Sequence, residues 1–399
     1  MSQPDVLIVG AGIYGLSAAL ALAARGNRVH VIDPGPIPHP LSSSSDINKA
    51  IRMEYGDDAF YLEQAARARD EWLRWNEEFD EQLYNECGLL VLAKKPMQPG
   101  SYEHDSYEQL KAHGFEPQHV DAVSLRQNFP AWCNEQYQDA FFHDKAGFAD
   151  SGRVISALAR RAITDGVILQ IGSRVDSLVG TGNRVTGVIT EHGEQIDAGA
   201  VVVAAGAWAP LLVPQLQPFI HSVGQPVFYV RPCDQELFLP PAFPVFTADV
   251  ANTGWYGFPL HPRESVVKIA NHGVGKLTHP VEGRRKVGDR QRADFASFLE
   301  TSLPALAKGE LVSARLCLYC DTRDGHFWID RDPSRDGLVV ATGGSGHAFK
   351  IGPLLGDWSA DVVEHKNNDA LQRFRWRELG TATSGEEAAR CWTHPAQAG

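Results

Sequence analysis

The chain has 399 residues, 43% of them hydrophobic and 22% charged, and 37 basic against 49 acidic side chains give a formal net charge of −12. That length accommodates about two domains, and the composition excludes a fibrous or mainly disordered chain. No apolar run approaches a membrane span, and an acidic chain without a basic block is a poor partner for nucleic acid or an anionic membrane surface.

Taken in chain order, Val6-Leu7-Ile8-Val9 is a short apolar run, as expected of a strand buried on both faces. Gly10-Ala11-Gly12-Ile13-Tyr14-Gly15 follows, and Leu16 to Arg25 reads as an Ala/Leu-rich helix closed by Gly26. Val29 to Ile32 forms a second strand that ends at Asp33. Residues 60–79 predict an amphipathic helix, and the more polar stretch 80–145 carries turns at Pro96, Pro99-Gly100 and Gly114. Gly152 to Ala162 is predicted helical, followed by a strand over Val167 to Ile171 and a hairpin from Arg174 to Glu191. Val201 to Trp208 reads as a strand ending in small residues. The proline-rich segment 217–310 reads as short alternating strands of an antiparallel sheet. Leu338 to Gly344 restores the strand-then-glycine pattern. These elements predict a nucleotide domain assembled from separate segments, with a second domain inserted between them.

A lone G-x-G-x-x-G is a weak signal. Here it lies between a strand and a helix, and an acidic residue closes the next strand, which makes it a dinucleotide fingerprint. Gly10 permits the tight turn, Gly12 lets the backbone approach a pyrophosphate, and Gly15 lets helix and strand pack closely. The helix N-terminus favours the anion. Asp33 suits ribose hydroxyls and disfavours a 2′-phosphate, which argues against NADP. The motif does not separate NAD from FAD.

The six cysteines are Cys87, Cys133, Cys233, Cys317, Cys320 and Cys391. They are too few for a disulfide scaffold. With no secretory pattern at the start and no peroxisomal tripeptide in Gln397-Ala398-Gly399, they predict a cytoplasmic protein with reduced thiols. Cys317-Leu318-Tyr319-Cys320 taken alone suggests a redox dithiol or half a zinc site. The zinc reading lacks a second ligand pair, so no metal site is expected. Lys268 interrupts an apolar strand, a pattern that by itself fits a solvated face. Trp72, Trp75 and Trp132 fit packing better than stacking platforms.

Taken together, Val6 to Asp33, Asp46 to Arg52, Val202 to Trp208, Gly257 to His272, Cys317 to Phe327 and Gly343 to Lys350 resemble flavin amine oxidases of the D-amino-acid-oxidase superfamily. The branch is that of monomeric sarcosine oxidase, N-methyltryptophan oxidase, pipecolate, saccharopine and fructosyl amino acid oxidases. The resemblance implies an α/β fold: a Rossmann-like FAD-binding domain with an inserted α+β substrate domain carrying an antiparallel sheet. It places the FAD domain at 1–85, 146–215 and 311–380, the substrate domain at 86–145 and 216–310, and a tail at 381–399.

By the same resemblance, FAD is held by Gly10, Gly12, Ile13, Tyr14, Gly15, Asp33, Ser44, Ser45, Lys49, Arg52, Val175, Gly206, Trp208, Gly344, Gly346, His347 and Lys350, with a thioether through Cys317. Arg52 and Lys350 grip a substrate carboxylate, Lys268 assists O2 reduction, and His272 matches a catalytic histidine of the active site. Tyr256, placed just before Gly257-Phe258-Pro259, is expected to face the substrate. Cys320 fits a buried small residue. Ser45 and Lys49 stand where the sarcosine oxidase pattern has histidine and arginine, and Asp46-Ile47-Asn48-Lys49 is more like the fructosyl and saccharopine oxidases. The expectation is a monomeric FAD-dependent oxidase of a secondary-amine amino acid that forms an imine and H2O2. A fructosyl, saccharopine-type or biosynthetic amino acid oxidase stays open. So do a poorly O2-reactive flavin dehydrogenase subunit, a non-catalytic flavoprotein and a nicotinamide dehydrogenase.

Overall fold

A computed structural model describes residues 3–379; the expected tail 381–399, with Cys391, lies outside them. Val6–Val9, Val29–Asp33, Ala200–Val203 and Leu338–Thr342 are buried at every position except Ala200, which is half-buried at a strand end. Apolar runs of this kind need cover on both faces, so they form the middle of a parallel sheet. The sheet order is Trp328–Arg331, Leu338–Thr342, Ala200–Val203, Val6–Val9, Val29–Asp33 and Ile168–Ile171, with the Trp328–Arg331 edge strand antiparallel. Helices Ile13–Ala24, Ser151–Thr164 and Gly352–Val363 pack on it. The first and last of these cross closely at Gly356, where a Cβ would lie 2.5 Å from the Ser17 carbonyl oxygen.

A second, largely antiparallel sheet is built from 89–93, 118–120, 139–143, 220–231, 245–248, 255–257, 267–271, 276–277 and 310–322. Register decides what it offers. Thr247 pairs with Tyr256, Tyr256 with Ala270, Ala270 with Val227, and Val227 with Arg315. Side chains alternate between faces along a strand. The same face therefore also carries Val245, Lys268, Tyr229, Cys317 and Tyr319. The other face carries Phe228, Phe246, Val267, Ile269 and Leu316, which join a separate apolar core.

That core corrects one expectation. Segment 217–310 is not all strand: Asp289–Ser302 is a helix. Its buried Phe295, Phe298, Leu299 and Ser302 keep helical spacing, which a proline-dominated reading overlooks. Phe295 stacks on Phe228 with ring centroids 3.9 Å apart, and Phe298 on Trp255 at 4.8 Å. A further departure is parallel pairing of Val245–Ala248 with Leu89–Ala93 in a sheet expected to be antiparallel. The first helix also starts at Ile13, three residues earlier than expected, because Gly12 is its N-cap. No helix of the described residues is long and apolar enough to cross a membrane.

Candidate functional site

A cavity of about 300 Å³ runs from the first βαβ turn to the lysine-bearing face of the second sheet. At its first end, Gly10 has φ +107°, and a Cβ there would sit 2.6 Å from the Ala204 carbonyl oxygen. A Cβ on Gly12 would meet the Ser44 hydroxyl at 3.2 Å, and one on Gly15 would collide with the Gly10 carbonyl at 1.8 Å. Gly12 thus leaves room on the cavity side, whereas Gly15 serves only helix–strand packing and does not line the cavity. The Asp33 carboxylate accepts hydrogen bonds from the backbone N–H of Ala11 at 2.8 Å and Gly35 at 3.1 Å. Ser44 Oγ accepts from Ile13 N–H at 3.1 Å and fixes the helix entry. Ile13, Tyr14, Val175, Gly206 and Trp208 line this end, and the Arg285 guanidinium lies 5.1 Å over the Trp208 ring.

At the other end two cations lie against one aromatic ring. Arg52 lies 5.4 Å and Lys350 Nζ 4.6 Å from the Tyr55 ring centroid. Arg52 Nη1 donates to the Tyr102 hydroxyl at 2.7 Å and to the Glu54 carbonyl. Lys350 belongs to the turn Ala348–Ile351, and its carbonyl accepts from Trp72 Nε1 at 2.8 Å while Trp72 stacks on Phe349. The expected packing role of Trp72 holds, but sequence reasoning did not show that it pins the backbone of Lys350. His347 lines the cavity with Gly344 and Gly346; its Nδ1 lies 3.1 Å from the Tyr55 hydroxyl and its Nε2 2.9 Å from the Gly325 carbonyl.

Behind Arg52, Glu54 is 1% exposed and its Oε1 lies 2.8 Å from Nδ1 of fully buried His143. Burial raises the carboxyl, yet the His143 hydrogen bond and the Arg52 charge outweigh it and hold Glu54 below its ordinary range. A depressed folded-state value means stabilisation present above the unfolded carboxyl value and lost as pH falls through the folded one. Glu54→Gln is therefore expected to destabilise the protein by about 1–3 kcal/mol at pH 7. Urea unfolding should show the gap narrowing toward pH 4; an equal gap at both pH values would remove the pair from the account.

Tyr256 and His272 both line the cavity, with the Tyr256 hydroxyl 3.2 Å from that of Tyr319. Lys49 lines it as well. Lys268, Cys317 and Ser45 do not: they stand behind the wall. Lys268 is 1% exposed, its Nζ 2.6 Å from the Asn48 carbonyl, 2.9 Å from Asp46 Oδ2 and 4.6 Å from the Phe258 ring centroid. Burial pushes its ammonium down to about 8, with Asp46 opposing. The Ser45 carbonyl accepts from Arg315 at 2.8 Å. Cys317 Sγ lies 3.9 Å from Lys49 Nζ. Cys320, on the opposite side of the strand, does line the cavity; it lies 3.3 Å from both the Gly206 carbonyl and Thr342 Oγ1, and burial pushes its thiol up to about 11. Among the described residues no cluster of three His, Cys, Asp or Glu side chains could hold a metal ion.

The glycine cradle, Asp33 and a cavity that continues from them fit an adenine dinucleotide, with Lys49, Gly344, Gly346 and Lys350 at its far end. A family model described as FAD dependent oxidoreductase matches residues 5–362. Monomeric sarcosine oxidase of Bacillus sp. (strain NS-129) is 29% identical over 92% of this chain and 98% of its own length. L-saccharopine oxidase of Schizosaccharomyces pombe is 26% identical over 94% and 93%. The crystal structure of fructosamine oxidase (Amadoriase II) from Aspergillus fumigatus, in complex with FSA, superposes with a TM-score of 0.82 at 24% identity, over 98% of this chain and 92% of that one. That likeness carries the fold.

Proposed function

The chain belongs to the FAD dependent oxidoreductase family, and on that premise we propose that it oxidises a secondary-amine amino acid at its C–N bond, with O2 as acceptor. FAD, when bound, supplies the two-electron acceptor that couples imine formation to reduction of O2 to H2O2. The observation that carries the reading is the pair of cations, Arg52 and Lys350, both close to the Tyr55 ring in a cavity continuous with the glycine turn. A planar guanidinium and a point charge together fix a substrate carboxylate. The carbon next to nitrogen is thereby held in one place. The amine enters neutral, so its own lone pair drives the C–H loss and no protein base is assigned. Lys268 holds positive charge where negative charge develops as O2 is reduced.

Leu89, Val245, Val250 and Phe258 line the cavity, with Thr247, Tyr256 and His272 as its nearby polar groups. That chamber suits an alkyl or ring substituent on nitrogen better than a polyol or a second carboxylate. The fructosyl and saccharopine-type reading rests on Asp46-Ile47-Asn48-Lys49, which stands close to the cavity. The test is an anaerobic absorbance titration of the holoenzyme with N-alkyl, cyclic and glycated amino acids, followed by air. Bleaching by the first two classes and recovery with peroxide are expected. Bleaching by glycated amino acids alone moves the assignment, and flavin that no amine bleaches removes the oxidase reading.

We assign the flavin link to Cys317. Its sulfur lies beside the Lys49 ammonium, on the sheet face that carries Lys268 and Tyr256, whereas Cys320 is a poor nucleophile with its thiol raised and bonded. Cys317→Ala is expected to leave FAD extractable by acid, and Cys320→Ala to retain it. Retained covalent flavin in the Cys317 variant would move the link elsewhere. We read the protein as a monomer on its likeness to monomeric sarcosine oxidase, and the cysteine usage supports a cytoplasmic location.

A further inference from the structure

We propose that Asp46 is a positioning residue that keeps the Lys268 ammonium protonated at the cavity wall, and so sets the pH range in which that lysine serves O2 reduction. The second half of this rests on the role assigned to Lys268 above; the first half does not.

The geometry is a single carboxylate shared by three cations. Asp46 Oδ2 lies 2.9 Å from Lys268 Nζ, 3.1 Å from Arg315 Nη2 and 3.6 Å from Lys49 Nζ. Oδ1 accepts from the Tyr229 hydroxyl at 2.7 Å and from Ile47 N–H at 2.8 Å. The Asp46 and Lys268 side chains are both 1% exposed. The backbone of Asp46 is tied as well: its carbonyl accepts from Gly152 N–H at 2.9 Å and Ser151 Oγ at 2.8 Å, at the start of helix Ser151–Thr164. The main chain thus anchors on the helix side, and the carboxylate reaches Tyr229 on 220–231, Lys268 on 267–271 and Arg315 on 310–322. Lys49 closes the group from its own short strand, with Cys317 and Tyr256 on its far side.

The signs of these contacts decide the role. Burial disfavours charge on Lys268, and so do the Lys49 and Arg315 cations; Asp46 favours it. The Phe258 ring beneath Nζ gives only a weak attraction. Asp46 itself is held far below the ordinary carboxylate range: burial opposes this, but Lys268, Lys49 and Arg315 outweigh it. It is therefore a fixed anion across the working pH range. With it in place the cluster keeps two net positive charges against the cavity wall. Without it, Lys268 faces two like charges in an apolar setting and sheds its proton. An aspartate of merely structural value would be equally well served by a neutral amide.

The experiment uses holoenzyme labelled at lysine 13Cε, with Lys268→Met to assign the signal. The Lys268 titration midpoint is read by NMR, and reoxidation of anaerobically reduced enzyme is followed by stopped flow across pH 6–10. In Asp46→Asn the midpoint is expected to fall by about two units, which at pH 7 slows reoxidation about tenfold. In Arg315→Gln, which removes a competing cation, the midpoint is expected to rise. Midpoints unchanged in both variants overturn the proposal, even if stability or flavin retention drops. If Asp46→Asn does not fold, Arg315→Gln decides: a rise supports the proposal and an unchanged midpoint overturns it. If Lys268→Met reoxidises as fast as the parent, the oxygen role fails, and the NMR midpoints alone then judge the hold of Asp46 on Lys268.

Discussion

Lys268→Met is expected to reduce with substrate at close to the parental rate and to reoxidise about 10²–10³-fold more slowly, the range seen when one preorganised charge-stabilising group is lost. Electron transfer to O2 builds negative charge in a small volume. A cation fixed there before the electron arrives needs no reorganisation, and a dry setting strengthens its effect. Lys268 meets both conditions: it is buried, and it is held by Asp46 and the Asn48 carbonyl. Methionine fills the same channel without the charge, while Arg315 and Lys49 still neutralise Asp46, so the fold is expected to survive. The parent should also lose reoxidation rate as pH rises through about 8, where the ammonium gives up its proton. Stopped-flow reoxidation at an unchanged rate would falsify the assignment.

Arg52→Gln is the second large effect. It is expected to lower kcat/KM by about 10²–10³-fold, in line with about 3–4 kcal/mol for truncating one partner of a buried charge pair. Arg52→Lys should recover little, because a lysine cannot supply the planar fork that now reaches the Glu54 carbonyl and the Tyr102 hydroxyl. Lys350→Gln should behave like Arg52→Gln, with the shared Tyr55 ring left holding one cation. A substrate carboxamide separates a clamp from a general fold defect. The parent should discriminate strongly between carboxylate and carboxamide, and Arg52→Gln should barely do so. Full discrimination in the variant would take Arg52 out of substrate binding.

Both predictions draw on residues that the sequence singled out, but for different reasons. Arg52 and Lys350 lie 298 positions apart in the chain, and only the resemblance paired them. The structure adds what aims them: the Tyr55 ring against both, Tyr102 and Glu54 on one, and the Trp72 indole on the backbone of the other. Lys268 read from pattern alone as a solvated face residue. Its strand alternates as expected, but the face it occupies is buried against Asp46 and Phe258. Periodicity assigns a residue to a face and is silent on what covers that face.

What the sequence by itself determined is the local part. Gly10, Gly12, Gly15 and Asp33 lie within one βαβ unit, so their spacing alone specifies a turn, a helix entry and a carboxylate at the end of the next strand. The hydrogen bonds of that turn span about 30 residues or fewer, and only the Ala204 carbonyl that crowds Gly10 comes from far along the chain. The tertiary structure decided the charge cluster. Asp46 meets Tyr229, Lys268 and Arg315, which stand 183, 222 and 269 residues away in sequence and come from three adjacent strands. Nothing in a short window marks an aspartate that must balance three cations, because that demand arises only once folding has removed the water that would otherwise solvate each of them.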